Sequence, residues 1–428
     1  MSELALLGGT PVISEPPARY RSMGEAEAKA VADVMASDCL SGFYGSPGDE
    51  YWGGPKVQEF EAAWHAHYGV AHAISLNSAT SGLFAAMGAV GVSPGDEVII
   101  PPWTMSATAM APLVYGGIPI FADIEDQTFG LDPDAVRAAI TPRTRAIIAV
   151  NLFGHPARLE ELRAIADEHA IYLVEDNAQA PLGSAGGRPS GSIGHIGVFS
   201  LNFHKHIHTG EGGVCVTDDD TLAKRLAMIR NHGENATEWL EMDDLTNLIG
   251  FNYRMGELAA AVGIVQLETI YQHVEPRERF AEKLSDGVRN LKGLKVPLVR
   301  ETCRHNYYCW CAKYNADQVG VSRDLFRDAL IAEGVPCFTG YVAPLYRLPV
   351  FQKRIAMGRD GFPFTLGAPD YSKLSCPVTE RLHEHEALLI EICSFEVNDG
   401  LADRMAEAVY KVHRAADELA GRERSGAA

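Results

Sequence analysis

Residues 174–213 read VEDNAQAPLGSAGGRPSGSIGHIGVFSLNFHKHIHTGEGG. The stretch opens at the end of an apolar, β-branched run, IYLVED (171–176), whose last residue is Asp176. Lys205 follows in a predicted loop, with Ser200 five residues before it and the glycine run GEGG (210–213) after it. Working outward, the flanking sequence alternates strand and helix patterns. AHAISLN (71–77), EVIIPP (97–102), IPIFADI (118–124), AIIAVN (146–151) and GVCVT (213–217) are short, nearly continuous apolar runs. Between and before them lie helical patterns: VQEFEAAWHAHYG (57–69), SATSGLFAAMGAVG (78–91), DPDAVRAAI (132–140) and RLEELRAIADEHA (158–170). Strands alternating with helices at this spacing predict an α/β fold with a mostly parallel central sheet sandwiched by helices. Ligands of such sheets sit at the carboxyl ends of the strands, where Asn77, Ser78 and Asp176 collect.

Beyond about residue 270 the pattern changes to a helix, YQHVEPRERFAEKLSDGV (271–288), an aromatic strand region, NYYCWCAKYN (306–315), and further mixed elements. This predicts a large domain over residues 1–270 and a smaller α+β C-terminal domain over 271–428, as 428 residues with 46% hydrophobic content allow. The tail AGRERSGAA (420–428) reads as frayed. Net charge is −19, from 56 acidic and 37 basic residues, which argues against nucleic acid and anionic membrane surfaces as partners. The N-terminus lacks a basic, apolar leader pattern, and no run reaches the ~18 apolar residues of a membrane span. The eight cysteines form no Cys-x-x-Cys pair and read as reduced thiols of a cytoplasmic protein. Cys303, Cys309 and Cys311 fit core packing better than a zinc site, and the alternating His204, His206 and His208 have no matching carboxylate or thiol partners, so no metal is expected. One of these histidines can line a pocket.

A pyridoxal-phosphate (PLP) site needs a carboxylate to keep the pyridine nitrogen protonated and a lysine to form an imine and carry protons. It also needs hydroxyls and a helix N-terminus to hold a dianionic phosphate. Asp176, Lys205, Ser200, the glycines and SATSG (78–82), which opens a helix directly after a strand, meet these needs together. Gly194 and Gly197 serve turns rather than a dinucleotide, because no strand immediately precedes them in the required arrangement.

The segment resembles the DegT/DnrJ/EryC1/StrS family of PLP-dependent sugar and cyclitol aminotransferases. The resemblance rests on Glu175-Asp176, Ala178-Gln179-Ala180, Gly191-Ser192, Gly194, Ile196-Gly197, Phe199-Ser200, Lys205 and Gly210-Glu211-Gly212-Gly213, with the family's spacings kept. LALLGG, GGPKVQEFEAAW, GVSPGDEVIIPP, NLFGHPA, RNHG and GFNYRMGELAAAVG extend it over roughly residues 4–410. It implies PLP fold type I, the aspartate-aminotransferase-like architecture, and a homodimer with shared active sites. By the same resemblance Lys205 is the Schiff-base lysine, Asp176 pairs with the pyridine nitrogen, and Gln179 faces the ring hydroxyl. Ala79, Thr80 and Ser200 hold the phosphate, and Asn252 reaches the phosphate of the neighbouring subunit. Where the family usually stacks an aromatic residue on the ring, PPWTMSATA aligns Met105, with Trp103 two residues earlier; either can take that place. His206, His195 and Asn151 also depart from the family pattern. Trp310, Tyr307 and Tyr308 read as core or dimer contacts, and His232 as a pocket residue or a turn cap.

The implied reaction moves an amino group from glutamine or glutamate to a keto cyclitol or keto sugar. The LALLGG start and the extended GYVAPLYRLPVFQKR and SCPVTERLHEHEALL segments resemble the cyclitol branch of aminoglycoside biosynthesis. Nucleotide-linked keto sugars remain an alternative. A sugar dehydratase is a further one, but relatives of that kind carry histidine in place of the lysine.

Overall fold

The computed structural model describes residues 4–425. Helix α1 (Glu25–Ser37) leads to α2 (Pro55–Tyr68), which starts with proline at its first position and stops at Gly69 in the left-handed region. Val57, Phe60, Trp64 and Tyr68, at helical spacing, are its buried face. Seven strands then build the main sheet: β1 (His72–Leu76), β2 (Glu97–Ile100), β3 (Ile118–Phe121), β4 (Thr144–Val150), β5 (Tyr172–Asp176), β6 (Ile196–Ser200) and β7 (Gly213–Thr217). Their order is β1-β7-β6-β5-β4-β2-β3. Only β7 runs against its neighbours; the pairs β6–β5, β5–β4, β4–β2 and β2–β3 are parallel.

Both faces of this sheet are covered, so alternate residues enter different cores. Val98, Ile148 and Val198 pack with α3 (Ala79–Ala89) and α4 (Ala107–Val114), whereas Ile99, Ile147 and Leu173 pack with α5 (Pro133–Ala139) and α6 (Leu159–Glu168). Helices α7 (Asp220–Arg230) and α8 (Glu257–Glu268) complete the layers. The sequence reading had no strand at 196–200 because glycines punctuate GHIGVFS. Here glycine marks close packing: a Cβ on Gly197 would lie 1.9 Å from the Gly191 carbonyl oxygen.

Past α9 (Ile270–Val288) comes a second, four-stranded antiparallel sheet of β8 (Leu294–Lys295), β9 (Trp310–Tyr314), β10 (Cys337–Thr339) and β11 (Ala387–Ile390), ordered β8-β9-β11-β10. Its core takes Phe280 and Leu284 from α9, Leu401 and Met405 from the helix Asp399–Arg414, and Leu4 and Ile13 from the N-terminal segment. We propose the domain division near residue 270 on this basis, with one sheet on each side of it. The chain between β10 and β11 crosses back to the large domain, where Tyr346, Phe351 and Tyr371 surround Phe121. The tail departs from expectation: a helix, Ala416–Ser425, occupies most of it, with Leu419 buried in the second core. Residues 426–428 lie outside the described residues. Among the described residues no helix is long and apolar enough to cross a membrane.

Candidate active site

The carboxyl ends of β1, β5 and β6 and the loop 201–212 converge on a cleft. It is lined by Ala79, Thr80, Met105, Asp176, Gln179, Ser200 and Lys205, among others. Of the residues singled out from sequence for cofactor contact, Asn252 and the alternative stacking residue Trp103 lie outside it. Asn252 is exposed and pairs its backbone with Asn231.

Asp176 ends β5 and is buried. Thr108 Oγ1 donates to its Oδ2 at 2.8 Å and the Ala178 N–H to its Oδ1 at 3.2 Å. Burial pushes its pKa up, against these hydrogen bonds and the nearby Lys205. Lys205 is buried too, and desolvation pulls its pKa down despite Asp176, Cys393 and Glu391. The two groups therefore face one cavity with their charged forms disfavoured, a condition common in functional sites.

The glycine-rich loop owes its shape to Glu175, whose side chain points to the other face of β5. Its carboxylate accepts from the backbone N–H groups of Gly191, Ile193 and Gly194 at 2.6–2.7 Å, and from Asn151 Nδ2 at 3.2 Å. Asn151 also donates to Asn177 Oδ1 and accepts from the Ala157 N–H, so it is part of the scaffold beneath the site. Gln179 is fixed at both ends of its amide. Oε1 accepts from the Phe153 N–H at 2.7 Å, and Nε2 donates to the Tyr341 hydroxyl at 3.0 Å.

At the far end of the cleft, Ser78 caps α3 by accepting from the Ser81 N–H. With the Ser81 N–H taken by this cap, those of Ala79 and Thr80 are the first-turn groups left to an anion. Gly213 has backbone on its vacant side: a Cβ there would lie 2.5 Å from the Ser78 carbonyl carbon. The site fits pyridoxal phosphate on these observations, with an α3 N-terminus and Ser200 for a phosphate, a buried carboxylate across from them, and a buried amine between. Asn202 adds a buried Oδ1 with no hydrogen-bond partner, while its Nδ2 donates to Glu211.

Trp103 and Met105 separate clearly. Trp103 is fully buried against Phe129, Phe153 and Tyr341, and its Nε1 donates to the Gly340 and Val342 carbonyls. Met105 is 59% exposed and lines the cleft. The three histidines diverge as well: His204 lines the cleft, His206 is buried with Nε2 on the Asn306 carbonyl, and His208 meets Ser22. His232 starts a short 3-10 turn in the left-handed region.

Sequence reading missed Thr108, Tyr308 and Tyr341. Thr108 lies in the PPWTMSATA stretch, where Trp103 and Met105 are the conspicuous residues and a threonine carries no signal of its own. Tyr307 does belong to the second core, yet its neighbour Tyr308 lines the cleft. Tyr307 has a left-handed backbone (φ 51°) just before the strand, and this turn of the chain sends the two adjacent rings into different surroundings.

Residues 45–390 match a model of the DegT/DnrJ/EryC1/StrS aminotransferase family. The chain is 33% identical over 435 aligned residues to L-glutamine:2-deoxy-scyllo-inosose aminotransferase of Streptoalloteichus tenebrarius, covering 97% of this chain and 99% of that one. It is 36% identical to GDP-perosamine synthase of Caulobacter vibrioides over 70% of this chain and 79% of that one. Among solved structures, DesI in the presence of its TDP-sugar product superposes with a TM-score of 0.80 at 31% identity, with 99% of each chain covered.

Proposed function

Because the chain belongs to the DegT/DnrJ/EryC1/StrS aminotransferase family, and is a pyridoxal-phosphate-dependent aminotransferase, we propose that it transfers an amino group from glutamine or glutamate to a keto cyclitol or keto sugar. Such a step belongs to aminocyclitol or amino-sugar biosynthesis. The observation that carries the cyclitol is the end-to-end match to L-glutamine:2-deoxy-scyllo-inosose aminotransferase, which leaves 3% of this chain uncovered. A nucleotide-linked keto sugar is the second reading, favoured by the equally complete match to DesI.

Bound pyridoxal phosphate supplies a carbonyl that captures the donor's amino group and a ring that takes up the electrons of the broken C–H bond. In this reading Lys205 would hold the cofactor, and its Nζ would take the proton from the donor's α-carbon. Its burial favours the free amine, the form that can accept that proton. Asp176, held by Thr108 and Ala178, keeps a proton on the pyridine nitrogen. Ala79 and Thr80 direct N–H groups, and Ser200 its hydroxyl, at the phosphate. Gln179, fixed between Phe153 and Tyr341, faces the ring hydroxyl, and Met105 takes the place over the ring face. Asn252, exposed and outside the cleft of its own chain, serves the site of a partner in a homodimer.

An absorbance spectrum with pyridoxal phosphate, before and after glutamine and then glutamate, tests the reading. The expected result is a visible band that one donor bleaches, that is absent in Lys205→Ala, and that returns with the right keto cyclitol or keto sugar. A band that neither donor bleaches would reject the assigned donors. No band at all would reject the Lys205 assignment.

A further inference from the structure

Lys205 lies in a loop of the large domain, but one side of its amine is closed by the small domain. Lys205 Nζ sits 4.6 Å from the centroid of the Tyr308 ring. The Tyr308 hydroxyl donates to Glu391 Oε1 at 2.9 Å. The two residues are set side by side by the second sheet: Trp310 of β9 pairs with Ile390 of β11, Tyr308 comes two residues before Trp310, and Glu391 follows Ile390 directly. Tyr308 is buried and lines the cleft with Lys205.

An aromatic face attracts a cation, most strongly where water is excluded. The other groups within electrostatic reach of Lys205 narrow what can stabilise its ammonium. His204 is pushed down to about 4 by burial and by the lysine itself, and His206 falls well below its ordinary value. The Cys393 thiol is pushed up to about 12 by burial. These three are neutral near pH 7. Asp176 has its own partner when the cofactor is bound. What remains is the ring of Tyr308 and the charge of Glu391, and the hydrogen bond joins them into one unit. Burial raises the Tyr308 pKa, with Glu391 adding to the effect, so the phenol stays protonated and keeps donating.

We propose that Tyr308, held by Glu391, is a positioning residue that stabilises the protonated form of Lys205 from the small-domain side of the cleft. The proposal rests on Lys205 being the Schiff-base lysine and goes beyond it. The proton Lys205 takes from the donor is held between turnover steps by a ring from the other domain. The position of the small domain thereby enters the acid–base balance of the lysine.

The test is the ionisation of Lys205 in the full-length chain stripped of cofactor. It is measured by competitive acetylation across a pH series, with mass spectrometry of the Lys205 peptide. Tyr308→Leu removes the ring, so the ammonium loses stabilisation and the apparent pKa falls, by about one unit. Tyr308→Phe keeps the ring and shifts it less. Glu391→Gln removes the charge and also lowers it. In the reloaded enzymes, the acid limb of the donor half-reaction moves to lower pH in the same rank order. A Tyr308→Leu chain that binds pyridoxal phosphate normally but titrates like the wild type would overturn the proposal and leave the Lys205 assignment standing. Should that variant fail to fold, a Glu391→Gln titration unchanged from wild type is equally decisive against it. Absence of the visible band in the wild type would reject the Lys205 assignment itself.

Discussion

Gly213→Ala is the sharpest probe of the anion end of the cleft. The added Cβ would lie 2.5 Å from the Ser78 carbonyl carbon and 2.6 Å from the Ala79 nitrogen and the Ser78 oxygen. Ordinary contact begins near 3.4 Å, so one side must retreat by close to 1 Å. Gly213 cannot, because it is paired with Leu76 on one neighbouring strand and Ser200 on the other. The turn at Ser78–Ala79 must give instead, and it is the N-terminus of α3. Moving that turn misaligns N–H groups aimed at a phosphate. Loss of one charge-assisted hydrogen bond costs about 1.5–3 kcal/mol, or roughly tenfold to a hundredfold in dissociation constant. Overpacking costs the fold about 1–3 kcal/mol in addition. Titration of the cofactor-free protein with pyridoxal phosphate, and in parallel with pyridoxal, separates the two effects. The expected result is a large loss for the phosphorylated ligand and little for pyridoxal. Equal losses for both ligands, or none for either, would refute a phosphate seat at this turn.

Four further outcomes are expected. Trp103→Ala lowers stability by about 3–5 kcal/mol because it empties a buried site and removes the indole N–H from the Val342 carbonyl, while the Gly340 carbonyl keeps His383 Nδ1. Met105→Ala leaves the melting temperature nearly unchanged but weakens cofactor binding; the reverse pattern in melting curves and cofactor titrations would return the stacking role to Trp103. Asp176→Asn raises the melting temperature of the cofactor-free chain. A carboxylate whose folded-state pKa is raised above its unfolded value destabilises the fold when ionised, so the gain over wild type is largest above the folded pKa and fades as pH falls through it. The same variant nearly abolishes the donor half-reaction, and a lower melting temperature at neutral pH would contradict the burial argument. Finally, refolding Lys205→Ala and Asn252→Ala chains together restores about a quarter of wild-type activity, since half the dimers are mixed and each of those has one intact site. No recovery in an activity assay would place Asn252 and Lys205 in the service of one chain's own site.

What the sequence disclosed, and what it hid, follows from where each contact comes from. The main sheet was legible because its strands are buried on both faces, which leaves short apolar runs such as IYLVE and VII with no alternation to confuse them. The site motif was legible because its glycines and its acid act on one another within a single segment. Glu175 gathers three N–H groups from 191–194, and Gly197 lies on Gly191. Such short-range constraints fix residue types at fixed spacings, and spacing is what a sequence displays. Strand β6 was hidden by those same glycines, which look like breakers until the neighbouring backbone that needs the space is seen. Tyr308, Tyr341 and Glu391 were hidden for the opposite reason. Tyr308 and Tyr341 reach the cleft from the small domain, with Glu391 holding the Tyr308 hydroxyl, all far from Lys205 in the chain, and nothing at their own positions distinguishes a ring facing a lysine from a ring facing the core. Tyr307 and Tyr308, adjacent in sequence with one in each environment, make the point at a single peptide bond. The cofactor end of the site is thus written locally in the large domain. The end that controls Lys205's proton is written across two domains, and only the pairing of β9 with β11 brings it together.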